Sequence, residues 1–180
     1  MKRGIQLEFK QATMAHLDEL TQIMADGIQF LKEQKSTQWQ DGNGPDKAKI
    51  KQDIENQACY ILTNEKDQII GTVALIRGVD PVYTAISQGK WEGDALYCSL
   101  HRVAVTQAFR GQGVSLQLLI HSLIEAQKWE IYDVRIDTHA LNLPMQKVIQ
   151  RAGFICRGVV HFPILNGKRL AYQKIIEQNS

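Results

Sequence analysis

Arg110-Gly111-Gln112-Gly113-Val114-Ser115 separates an apolar run ending in Val103-Ala104-Val105 from a longer one that begins at Leu116. An arginine and two glycines so placed suit an anion. The first turn of a helix carries unpaired N–H donors and its dipole favours negative charge, so strand, glycine turn and helix together present backbone donors to a phosphate. Gly111 and Gly113 permit positive φ and close approach of a ligand to the main chain, and Arg110 adds a permanent cation. A tight turn beside one solvated arginine is the plain alternative. Two nucleotide patterns are excluded: no Lys follows Gly113 as a P-loop requires, and Leu116 stands where a dinucleotide fingerprint needs its third glycine. Two histidines near strand ends, His101 and His139, bring groups whose unperturbed pKa of ~6.5 suits proton removal near neutral pH. A lone strand histidine serves equally well as a packed structural residue.

These residues need a scaffold, and the apolar spacing supplies one. Ile5–Lys10 alternates as a first strand, and Thr13 caps a long helix whose apolar residues are Leu17, Leu20, Met24, Ile28 and Leu31. Gly27 within it marks a bend or a close packing contact. Residues 36–46 form a loop carrying Trp39, and a second helix covers 47–57. Strands at 59–63 and 69–77 form an antiparallel hairpin, followed by a polar loop over 80–94 with Pro81, Tyr83 and Trp91. The strand before the glycine turn, the helix after it (inner face Leu116, Leu119, Ile120, Leu123, Ile124) and a strand at 134–138 make a βαβ unit with parallel strands. Asn142 caps a last helix with Pro144 in its first turn and Gly153 at its end. Strands at 154–162 and 170–176 flank the turn Asn166-Gly167. The order β-α-α-β-β-β-α-β-α-β-β fits one α/β domain over 1–180, with a mixed, mostly antiparallel sheet of about seven strands and about four helices.

Composition narrows the class. A chain of 180 residues with 44% hydrophobic content can bury a single core. A net charge of +2 from 21 basic and 19 acidic residues, scattered in sequence, argues against a nucleic-acid partner. No run after Met1-Lys2-Arg3 resembles a signal peptide, and no segment reaches the ~18 apolar residues of a membrane span. Cys59, Cys98 and Cys156 lie in apolar stretches and are read as reduced core thiols of a cytoplasmic protein; no His, Cys and Asp cluster has metal-ligand spacing.

The Val103–Ser115 stretch resembles the acyl-CoA motif of the GNAT superfamily of N-acetyltransferases, Gln/Arg-x-x-Gly-x-Gly/Ala. Arg110 and Gly113 match, and Ser115 replaces the small residue. Asn142 to Phe154 is similar to the family's Asn-x-x-Ala-x-x-x-Tyr-x-x-x-Gly-Phe segment, matching at Asn142, Gly153 and Phe154. The resemblance extends over nearly the whole chain in element order. It implies acetyl-CoA as cosubstrate: Val103, Ala104 and Val105 pair with the pantetheine arm as if with a strand. The diphosphate then rests on N–H groups of Gly111, Gln112, Gly113, Val114, Ser115 and Leu116, and Asn142 touches the cofactor or simply caps its helix. The implied reaction is direct acetyl transfer to a primary amine of a small molecule or peptide.

The resemblance breaks at position 149, where Ile149 replaces the tyrosine that commonly protonates the leaving thiolate. This departure keeps open a second reading, a catalytically weak or inactive acyl-CoA-binding or sensing domain. For the active enzyme, His101 and His139 are the candidate bases, and Val103 offers the backbone donor for the oxyanion, as in the family. Trp39 and Tyr83 are the candidate acceptor contacts, with Asp41, Asp94, Trp91 and His161 behind them. Exposed sheet edges make a homodimer conceivable.

Overall fold

The computed structural model describes residues 7–178. Its seven strands are β1 (Glu8–Gln11), β2 (Cys59–Thr63), β3 (Ile69–Arg77), β4 (Tyr97–Val105), β5 (Asp133–Thr138), β6 (Ile155–His161) and β7 (Lys168–Ile175). Its four α-helices are α1 (Leu17–Glu33), α2 (Lys47–Glu55), α3 (Val114–Lys128) and α4 (Leu143–Arg151). Of the expected first strand, Ile5 and Gln6 lie outside the described residues, and β1 runs from Glu8 to Gln11. Local chemistry sets the ends. Asp46 accepts from Lys49 N at 2.8 Å to start α2, and Asn142 accepts from Met145 N at 3.2 Å to start α4.

The sheet runs β1-β2-β3-β4-β5-β7-β6, antiparallel except for the β4–β5 pair. That pair is short. Tyr97–Leu100 register with Asp133–Ile136, and beyond Leu100 and Ile136 the two strands part. The last strand does not extend the sheet at its edge; β7 inserts between β5 and β6, antiparallel to both.

Alternation on β4 divides its side chains between two faces. Cys98 and Leu100 join the large core under α3 and α4, whereas Tyr97 faces the opposite side with Tyr83. A register shift between β3 and β4 follows, with Arg102 at φ 52°, and past it the alternation is reset: Val103 and Val105 pack on the α3–α4 side and Ala104 under α1. Arg102 holds this bulge by donating twice to buried Asp53 of α2, at 2.6 and 3.0 Å.

Two expectations fail. The inner face of α3 is Val114, Leu118, Leu119, Ser122, Leu123 and Ala126, while Ile120 and Ile124 are exposed and Leu116 is only partly covered. The apolar residues of the helix spread beyond a single stripe, so spacing alone left two faces in competition. β3 decides between them, because Gly71 leaves room for Leu118, whose Cδ1 lies 2.8 Å from where a Cβ would sit. Second, Cys156 is exposed on the edge strand β6; only Cys59 and Cys98 are buried. Among the described residues no helix is long and apolar enough to cross a membrane.

Candidate active site at the parting of two strands

Where β4 and β5 separate, a cleft of about 670 Å³ opens, lined by β4 from Leu100 to Val105, by Ile136, Asp137 and Thr138 of β5, and by the glycine turn. Gly111 (φ 74°) and Gly113 (φ 80°) are both left-handed, and a Cβ on either would meet nothing within 4 Å, so the turn faces open space. Gly113 is the N-cap of α3 and has no side chain to satisfy the first-turn donors; those of Val114, Ser115 and Leu116 are left for a ligand. Arg110 stacks over Phe30 at 4.6 Å and donates from Nε to Val105 O at 3.4 Å. Its Nη2 is buried with no partner among the described residues, as is Thr138 Oγ1, and both residues line the cleft. Orphaned buried polar atoms around a cavity mark where a ligand's groups belong. Gln112 faces outward, its side chain donating to Ala108 O.

The opposite end of the cleft is a cluster of ionisable groups on the face away from α3. His101 Nε2 lies 2.7 Å from Asp80 Oδ2, and Nδ1 is 3.9 Å from Asp137 Oδ2. Burial pushes the Asp80 carboxyl up, but the His101 contact and the Val82 N–H outweigh it and leave the group below the ordinary carboxylate value. An ionised Asp80 accepts from Nε2–H, which turns Nδ1 toward Asp137 and the cleft. Asp137 is different. Burial raises its pKa, against the opposing pull of His101, Tyr83 and Arg169. Tyr83 donates to Asp137 Oδ2 at 2.8 Å, and burial and that carboxylate hold its own pKa well above the ordinary value.

The structure brings most candidates of the sequence reading together and leaves a few apart. His101, Val103, Ala104, Val105, Arg110, Gly111, Gly113, Val114, Ser115, Leu116, Asn142 and Trp39 line the cleft. Trp39, at φ 62°, lies beside Gly27 of α1 and packs on the cluster that includes Ala104; a Cβ on Gly27 would make an ordinary 3.5 Å contact with the ring. Tyr83, 1% exposed, stands behind Asp137 rather than on the cleft surface. His139 lies off the cleft: Nδ1 accepts from Leu141 N at 3.1 Å and Nε2 meets Thr37 Oγ1 at 3.0 Å, so both ring nitrogens are engaged. Asn142 caps α4 and also donates to Gln38 Oε1 at 3.2 Å. Trp91 is a structural plug, its ring over Arg135 and its N–H on Tyr83 O. Ile149 is fully buried in the core and does not line the cleft; Met145 and Val148 of the same helix do.

Asp80, Asp137 and Arg169 escaped the sequence reading. A signal existed for the second: Val134-Arg135-Ile136-Asp137 alternates charge with aliphatic residues in a strand flanked on both sides, where a charged side chain needs a reason.

Comparison with known proteins agrees with this architecture. The Acetyltransferase (GNAT) family matches residues 24–154. A GNAT-family acetyltransferase of Streptococcus agalactiae is 32% identical, the alignment covering 97% of this chain and 99% of that one, with a TM-score of 0.86. A GNAT-family acetyltransferase of Listeria monocytogenes (24% identity, 96% of each chain, TM-score 0.76) and the ribosomal-protein-S18-alanine N-acetyltransferase of Escherichia coli (13%, 97% of each, 0.64) share the fold. No curated protein matches the chain. With most of its length matched by the family and its glycine turn, bulged strand and parted β4–β5 pair in one cleft, the chain belongs to the GNAT family of acetyltransferases.

Proposed function

We propose that this protein transfers an acetyl group from acetyl-CoA directly to a primary amine of a small molecule or peptide. One observation carries the reading: His101, with Nε2 2.7 Å from Asp80 Oδ2, turns Nδ1 toward Asp137 in the gap to which the glycine turn leads. The residues present fit an acyl-CoA. The open turn and first-turn donors suit its diphosphate, and the unpartnered Arg110 Nη2 and Thr138 Oγ1 line the same cleft. When bound, acetyl-CoA supplies a thioester carbonyl as electrophile.

The chain's own groups do the rest. The main chain of Val103, Ala104 and Val105, which has no β5 partner although Ala104 and Val105 pair with β3 on the other side, would hold the arm of the cofactor, and the Val103 N–H would stabilise negative charge on the carbonyl oxygen. Asp137, oriented by Tyr83, attracts the acceptor's ammonium group, and His101 Nδ1 takes its proton before attack. Trp39 walls the acceptor side. Buried Ile149 offers no proton to the departing thiolate, which a good leaving group tolerates, water completing the step.

That same Ile149 favours one other reading, a domain that binds acyl-CoA without turnover. Calorimetric titration with CoA, acetyl-CoA and ATP, followed by thiol release over a panel of amines, separates them. The proposal expects micromolar binding of both CoA species, much weaker ATP binding, and turnover. Binding without turnover on any amine favours the sensor, and absent CoA binding sinks both.

A further inference from the structure

Three arginines of this sheet stand beside largely buried aspartates, and one pair is unlike the others. Arg135 contacts Asp133 at 2.7 Å and Arg102 contacts Asp53 at 2.6 Å, each closed and multiply hydrogen-bonded. Arg169 of β7 and Asp137 of β5 stay 4.0 Å apart, Nε to Oδ1, beyond hydrogen-bonding distance. Each is held back by other bonds. Arg169 Nη1 donates to Asn166 O at 2.6 Å and Lys168 O at 2.9 Å, and Asp137 accepts from Tyr83. Among the described residues nothing accepts from Arg169 Nε or Nη2. Yet Arg169 is only 5% exposed, and both residues line the cleft beside His101.

Two opposite charges this deep normally close on each other, because desolvation is offset only by good geometry and full hydrogen bonding. Burial still lowers the Arg169 pKa and raises that of Asp137, so neither charge is fully compensated by its neighbour. An open pair of this kind is completed by a ligand bearing both charges. We infer that the acceptor is a free α-amino acid: its ammonium group goes to Asp137 and its carboxylate to Arg169, which places the amine beside His101 Nδ1. This deepens the acetyltransferase reading and rests on it. Peptide N-termini and simple monoamines lack the adjacent carboxylate and leave Arg169 unpaired. The side chain would extend toward Trp39, Phe162 and Ile164, which favours an apolar one.

The test compares the standard L-amino acids with their carboxamides, first as titrants of the CoA-bound protein and then as substrates with acetyl-CoA. At least one apolar amino acid should bind and turn over with about 10–100-fold better kcat/KM than its carboxamide, the value of a buried charge-assisted contact. Arg169→Gln should collapse that ratio toward unity, mainly through KM, with CoA affinity showing that the variant is folded; Arg169→Lys should retain part of it. Equal or better use of carboxamides overturns the inference, as does an equal loss on both substrates in a folded variant, which would mark Arg169 as a brace for the β6–β7 turn. If no amine turns over while an amino acid still binds in preference to its amide, the catalytic reading fails and the recognition stands. If no amino acid binds, the recognition fails.

Discussion

His101 on the central strand and Asp80 in the loop after β3 are joined by a 2.7 Å contact that turns the imidazole so that Nδ1 faces Asp137 and the cleft. The contact ties two separate segments to one proton position. Removing either partner has different consequences.

His101→Ala should lower kcat by about 10²–10⁴-fold, the usual worth of a positioned base, with little change in CoA affinity. Asp80→Asn leaves the imidazole in place but removes the charge that selects its tautomer, so a smaller loss of about 10–100-fold is expected. Steady-state kinetics with CoA calorimetry on both variants checks the order; equal activity of wild type and His101→Ala would remove this residue from the chemistry.

Gly113→Asp puts a carboxylate against the anion site at a left-handed position. Because a Cβ there meets nothing within 4 Å, the fold should survive at a cost of about 1–2 kcal/mol from the backbone alone. CoA affinity should fall by ~100-fold or more through charge repulsion and lost N–H contacts. A folded variant with wild-type affinity would detach the turn from the cofactor.

Arg102→Ala should destabilise the protein by about 3 kcal/mol in urea unfolding, because it leaves Asp53 buried with only Lys49, 3.3 Å away, as cation. Since Arg102 also holds the bulge that resets β4, KM for acetyl-CoA should rise. A stability loss without any change in KM would show that the bulge forms without this ion pair.

Acidification should act through His139. Burial, with Arg169 nearby, lowers its pKa, and protonation would force Nδ1 to give up the Leu141 N–H. The unfolded chain therefore binds a proton near pH ~6.5 that the folded chain resists, so stability is full above that value and declines as pH falls through it. His121, also lowered by burial, contributes in the same direction. Thermal unfolding from pH 8 to 5 should show Tm falling in the wild type and falling less in His139→Gln.

The residues explain how far the sequence could be read. Cys59–Thr63 and Ile69–Arg77 were legible to the residue because apolar β-branched runs are bounded by polar turns. Gly113 and Asn142 were legible because their backbone tasks, N-cap and left-handed turn, are local. The inward face of α3 was not, since it depends on a glycine more than forty positions away at Gly71. The acceptor end of the cleft was least legible of all. Asp80 looks like a loop carboxylate and Arg169 like half of a solvated basic pair, and only the insertion of β7 beside β5 brings Arg169 to Asp137.

That insertion governs how the molecule comes into being. A nascent chain made as far as α4 already has β4, the glycine turn and α3, all near one another in sequence, but β5 is still a bare edge. The half of the cleft around the glycine turn can therefore assemble first, whereas the wall formed by Asp137 and Arg169 waits for β7 to slot between β5 and β6. Such late, long-range pairing is slow and leaves an open strand in the interval. Of the described strands, the one that follows all the others in sequence is thus the one that carries Arg169 to Asp137.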